Sequence, residues 1–154
     1  MHLSESHPLP VSLGDAWAAL NDLAVLQHAL PGCESLLQIA ADEFVGEMVI
    51  PLGLMTSHVT IYVHRRDIDA PRGCTLHFET RTPAAGGTGS AAMRLTPDGD
   101  DATTLQVDVT VEISGIVAQF SEPLIDIAAR QMAGLFFERF RQGAVARQAG
   151  VAIP

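Results

Sequence analysis

Four stretches of this chain carry residue types that do chemistry in other settings. Cys33 closes Leu30-Pro31-Gly32-Cys33, with His28 a short distance before it. A reactive thiol needs a positioned base or cation to lower its pKa, and no such constellation surrounds Cys33, so a structural turn holding a small buried thiol is expected. Gly86-Gly87-Thr88-Gly89 has the glycine density of a phosphate loop. Such loops work between a parallel strand and a helix N-terminus, whereas this one lies between two strand patterns; a bulge, or a thin strand admitting ligand or backbone, fits better. Asp98, Asp100 and Asp101 imitate the start of a calcium loop, but the position that should hold a bidentate acid is Val109. His58, His64 and His77 invite a metal reading, yet no carboxylate or Cys stands beside them at ligand spacing. No metal site and no catalytic set is expected.

Composition excludes further classes. The net charge is −9, and all nine basic residues are arginine. An acidic chain lacks the basic face that displaces counterions from nucleic acid, and the absence of lysine removes both the Walker-type phosphate loop and Schiff-base catalysis. Cys33 and Cys74 are too few for a disulfide framework or a zinc site. No apolar run approaches the roughly 20 residues that span a bilayer. The opening MHLSESHPLP has neither the basic start nor the apolar centre of a secretory signal, so a cytoplasmic location is expected.

The elements that must position any site follow from periodicity. Residues 3–10 read as a first strand, near an edge because of Pro8 and Pro10. Ser12 then opens a short helix with Asp15 as its acidic capping partner, residues 22–29 make a second, and Pro31 with Gly32 ends it. From there the period changes to two: strands are expected at 35–40, 43–51, 55–67, 74–81, 89–96 and 103–114, separated by turns such as Ala70-Pro71-Arg72-Gly73. Leu105, Val107, Val109, Val111 and Ile113 alternate with polar residues, so one face meets the core. The period returns to 3.6 over residues 119–147, where Phe120, Leu124, Ile127, Ala128, Met132, Leu135, Phe136 and Phe140 predict one long amphipathic helix. Ser121 and Pro123 suit its first turn, and Gly143 is expected to weaken or end its last. The order predicts an α+β fold, a sheet of about seven antiparallel strands covered by the terminal helix.

That order resembles the helix-grip fold of the START-like (SRPBCC) superfamily, a curved sheet wrapped round a long C-terminal helix with a cavity between them. Residues 11–36 are similar to the opening of the CoxG-like family of carbon monoxide dehydrogenase subunits, with Trp17, Asn21-Asp22 and Pro31-Gly32-Cys33 in the family's order and spacing. The Gly-rich strand 86–95 and the closing segment, Ser114-Gly115 followed by a helix with Phe136-Phe137, continue the likeness.

The resemblance implies one START-like domain over 1–154 and an apolar ligand cavity. Phe44, Met48, Met55, Phe78, Met93, Met132 and Phe136 read on their own as either a filled core or a cavity lining, Met being adaptable enough for both. With the fold implied, the expected lining is Phe44, Met48, Ile50, Met55, Val59, Ile61, Phe78 and Met93 from the strands, and Phe120, Leu124, Ala128, Met132 and Phe136 from the helix. The implied function is that of a non-enzymatic accessory protein without cofactor. Its partners would be a molybdenum hydroxylase of the carbon monoxide dehydrogenase type, a quinone- or lipid-like molecule, and the inner membrane face by peripheral contact. Two alternatives stand beside it: a START-like enzyme of cyclase or hydrolase type with polar groups in the cavity, and an interaction module with a dry core.

Overall fold

The computed structural model describes every residue except 53, 81–84, 116–121 and 154, with the backbone alone described at 52, 55, 57, 85, 115 and 122. Strand β1 (His2–Leu9) leads into helices α1 (Leu13–Leu20) and α2 (Leu23–Ala29). Six strands follow: β2 (Cys33–Ala40), β3 (Glu43–Leu52), β4 (Met55–Asp69), β5 (Gly73–Thr80), β6 (Ala85–Pro97) and β7 (Thr103–Gly115). Helix α3 (Glu122–Ala149) closes the chain. The strands form one antiparallel curved sheet in the order β1-β7-β6-β5-β4-β3-β2, so every pairing but β1 with β7 is a sequential hairpin. Short turns made this topology the expected one, since antiparallel neighbours need no crossover.

Local chemistry sets the joints. Asp15 N–H donates to Ser12 Oγ at 3.2 Å and Ser12 Oγ–H to the Asp15 carboxylate at 3.0 Å, capping α1. Asp22 accepts from Ala24 N–H at 3.0 Å, capping α2, and its other oxygen meets Arg147 Nε at 3.0 Å. Gly32 has φ +76°, and a Cβ there would stand 2.2 Å from the Val49 carbonyl. The second requirement is as strict as the first, because Val49 N–H also donates to Gly32 O at 2.8 Å. Asp98 and Gly99 turn the β6–β7 hairpin, as a solvated turn should: Asp98 N–H bonds to Ala102 O at 2.8 Å, and Gly99 has φ +92°.

The inner face divides into a packed end and a hollow end. At the packed end Leu9, Leu95 and Leu105 meet Val11, Ala16, Ala19 and Val25 from the α1–α2 region and Phe140 and Ala144 from α3. Thr103, wholly buried there, donates to Val11 O at 2.9 Å. Gly143 does not end α3: it is buried within it, where a Cβ would lie 3.0 Å from Val25 Cγ1. It lets α2 approach closely, and the helix runs on until Gly150 at φ +71°.

Candidate functional site

Strand register brings the inner-facing residues into rows across the sheet. Phe44, Val63, Phe78, Gly89 and Val111 make one row, and Arg65, Leu76, Ala91, Val109 and Leu3 the next. Cys74, Met93, Val107 and Glu5 form a third. Opposite them α3 presents Ala129, Met132, Ala133, Phe136 and Phe137, while Leu20, Leu23, Leu26 and Leu30 of the α1–α2 region close one end. Between these walls lies a cavity of about 390 Å³ whose lining is almost wholly aliphatic and aromatic. Gly89 shapes one wall, since a Cβ there would press the Phe78 ring at 2.8 Å and the Thr110 carbonyl at 2.4 Å. β6 runs past it in unbroken register, so the Gly-rich stretch is a thin strand and not a bulge.

Seven of the expected residues line this space: Phe44, Met48, Ile61, Phe78, Met93, Met132 and Phe136. Ile50 and Val59 lie beyond its end, Val59 being buried in packing. Leu124 and Ala128 require correction, because both are exposed, Leu124 to 58%. Helix α3 carries two apolar stripes about 150° apart at 3.6 residues per turn. Residues 129, 132, 133, 136, 137 and 140 face inward, and Leu124, Ile127 and Leu135 look away. Phe120, Ser121 and the side chain of Met55 fall outside the described residues.

Sequence reasoning missed Arg65 and Glu5, the two charged side chains on the lining. Strand parity was the available signal, since Arg65 follows Ile61 and Val63 and Glu5 lies between Leu3 and Leu9. Arg94, Thr56 and Glu47, the polar strand residues that a one-residue shift of register would turn inward, are exposed. Arg65 Nε and Nη2 donate to Asp42 Oδ1 at 3.1 and 3.0 Å, and Nη1 donates to the Asn21 amide oxygen. Asn21 Nδ2 in turn donates to Trp17 O at 2.8 Å. On the opposite edge strand, Glu5 holds His7 Nε2 at 2.9 Å, and the His7 ring stacks on Phe137 at 4.0 Å between centroids.

Cys33 and Cys74 both line the cavity. Burial pushes both thiols up from the ordinary value, against smaller opposing effects of a Ser35 carbonyl bond for Cys33 and the Arg65 charge for Cys74. An activated nucleophile needs the reverse. A second hollow, about 490 Å³, is lined by Glu43, Tyr62, His64, His77 and Glu79 together with Phe44, Val63, Phe78 and Gly89 of the first row. His64 pairs with His77 across the strands. Among the described residues no group of three or more His, Cys, Asp or Glu is set to hold a metal.

A curved seven-stranded antiparallel sheet, two short helices and a C-terminal helix over an inner cavity define a START-like protein. The chain belongs to the CoxG family, that of the G subunit of carbon monoxide dehydrogenase, whose model matches residues 10–145. No curated protein matches it in sequence. Among solved structures it is similar to a conserved protein from Geobacillus kaustophilus, with TM-score 0.88 and 21% identity over 94% of this chain and 95% of that one. It is also similar to a START superfamily protein from Mycobacterium smegmatis, TM-score 0.72 and 13% identity, covering 91% of this chain and 94% of the other. The Zhui aromatase/cyclase from Streptomyces sp. R1128 superposes with TM-score 0.69 at 15% identity over 99% of both chains. Family and fold together support an accessory or ligand-binding role in general terms. No helix among the described residues is long and apolar enough to cross a membrane.

Proposed function

We propose that this chain is a non-enzymatic accessory protein that carries a quinone- or lipid-like molecule in its inner cavity. It would serve a molybdenum hydroxylase of the carbon monoxide dehydrogenase type and bring enzyme and inner membrane face into functional contact. The observation that carries the reading is the cavity: about 390 Å³ of space, walled by aliphatic and aromatic side chains, in a domain otherwise able to close its core. Space of that size between packed elements forfeits dispersion contacts, a cost that an apolar occupant recovers. Pockets of a few hundred Å³ with few polar groups are the usual form of sites for apolar ligands. Membership of the family named for the G subunit of carbon monoxide dehydrogenase is what motivates the choice of partner enzyme. The test is solvent extraction and mass spectrometry of the protein purified from its own host. A recurring apolar molecule at near one per chain supports the proposal; protein that repeatedly yields none, and that takes up no added quinone or lipid, refutes it.

One observation favours a START-like enzyme as the second reading: Glu5 and Arg65 both line the cavity. Against it, they stand on strands β1 and β4, separated in the sheet by β7, β6 and β5, so they cannot act together on one small reacting centre. The enzyme reading requires Glu5→Gln to abolish turnover of a bound carbonyl compound while leaving its binding intact; the carrier reading expects no turnover to lose.

A further inference from the structure

The cavity's polar groups are few, and their bonding state restricts what it can hold. The Arg65 guanidinium lies 5.6 Å from the centre of the Phe44 ring, at the cavity wall. It donates through Nε and Nη2 to Asp42, through Nη2 to Ala41 O at 3.5 Å, and through Nη1 to Asn21. Those contacts occupy four of the five N–H donors of a guanidinium. The second Nη1 N–H has no acceptor among the described residues. The charge itself is already matched by the Asp42 carboxylate; besides the two thiols, the other ionisable groups of the lining are the Glu5 carboxylate, which holds His7, and the Met1 ammonium, which donates to Val111 O at 2.9 Å.

We propose that Arg65 is the head-group anchor of this cavity, and that the molecule it selects is an uncharged amphiphile with an oxygen acceptor, a ketone, quinone-type carbonyl or ester, and not a carboxylate. The inference rests on the reading of the cavity as a ligand site. The Arg65 side chain is one-fifth exposed, so its free N–H meets water until a ligand covers it, and is then satisfied only by an acceptor that the ligand brings; a plain hydrocarbon leaves that interaction unmade. An anion at Arg65 would shed its hydration beside an ion pair that is already neutral, and the other cation of the lining, the Met1 ammonium, lies by β1, across β7, β6 and β5 from the Arg65 strand, too far to neutralise a carboxylate held at Arg65. The ligand class follows from charge balance and donor count: acceptor oxygen at the Arg65 end, apolar body along Leu76, Ala91 and Val109 toward α3.

The test uses the whole chain and displacement of Nile red, a neutral apolar reporter, by three probes of matched length: decane, 2-decanone and decanoate at pH 8. The ketone is expected to displace the reporter at about one-tenth of the concentration that decane needs, the yield of one hydrogen bond to a charged donor, with decanoate weaker than the ketone. Arg65→Met should bring the ketone to the level of decane, while Arg65→Lys, which keeps a cation for Asp42, should recover part of the preference. Circular dichroism confirms the fold of each variant, and if Arg65→Met does not fold, the ranking in the native protein and in Arg65→Lys decides. Decanoate as the tightest probe, ketone and decane bound equally, or a preference unchanged in the variants would overturn the head-group assignment while leaving the ligand cavity standing. Failure of the native protein to bind Nile red or any probe would overturn the cavity reading and the assignment with it.

Discussion

Two phenylalanines one turn apart on α3 should respond differently to truncation if the space beneath the helix is a real hollow. Phe140 is fully buried among core residues of α1, α2 and the sheet, and Phe136 is partly exposed and lines the cavity. Phe140→Ala removes a side chain packed on every side and leaves a new void, so it should cost about 4 kcal/mol, within the range for buried Phe truncations. Phe136→Ala opens no new void, because the hollow is already there. It loses roughly half the burial of a large side chain, on the order of 1 kcal/mol, and its ring contacts with Phe137 at 5.5 Å and Phe140 at 5.7 Å, together on the order of 1 kcal/mol. The sum is about 2 kcal/mol. At roughly 2 to 4 °C per kcal/mol for a chain of this size, the two variants should melt about 4 to 8 °C apart, with Phe136→Ala the more stable and with equal urea m-values. Equal destabilisation of both, by urea unfolding monitored through circular dichroism, would mean that Phe136 is packed as tightly as Phe140 and that the cavity is closed in solution.

Other substitutions probe the supports of the site. Gly89→Val drives a side chain into the Phe78 ring and the Thr110 carbonyl and should cost about 1 to 3 kcal/mol while weakening uptake of Nile red; a neutral effect on both would show that the close approach is not required. Gly143→Val, against Val25, should lower the urea midpoint by a similar amount without changing ligand affinity, since it acts at the packed end. Asp22→Ala removes a helix cap and the partner of Arg147 and should cost about 1 kcal/mol, most of which Asp22→Asn restores; if Asn restores nothing, the ion pair and not the cap is the stabilising part. Burial raises the Cys33 and Cys74 thiols, so the folded state favours their neutral form. Iodoacetamide at pH 8 should therefore label the folded chain more slowly than the urea-unfolded chain, and the stabilisation, complete below the ordinary thiol pKa, should fade as pH rises through the folded values. Equal labelling rates would contradict the placement of both cysteines.

The hairpins were legible because their punctuation is chemical: Pro71 and Gly73 in one turn, Asp98 and Gly99 in another, and alternation from Leu105 to Val111 that fixes which face is buried. The same alternation placed Phe44, Phe78 and Met93 on the cavity wall. The helix face was less legible. Leu124, Ile127 and Leu135 share helical spacing with the residues that are buried, and only the sheet and the two short helices decide which stripe turns inward. The division into a packed end and a hollow end lies in no local pattern, since it depends on where α1 and α2 come to rest over the rows of the sheet. Arg65 and Glu5 had the parity of inward residues, but charge reads as solvent unless its partners are known: Asp42 and Asn21 lie far from Arg65 in sequence, and His7, two residues from Glu5 on the same strand, shows itself as a partner only in the geometry. Gly143 shows the same limit: a glycine late in a helix reads as a stop until the Val25 side chain is seen against it.

The account depends on an apolar molecule occupying the space between α3 and the sheet, and the most direct measurement is a titration with a decyl-tailed benzoquinone of the native chain and of Ala91→Phe, which adds an aromatic ring to the cavity wall. The account predicts saturable one-to-one binding to the native chain, and its loss in the variant with no loss of thermal stability. Absence of saturable binding, or equal binding by both proteins, would contradict it.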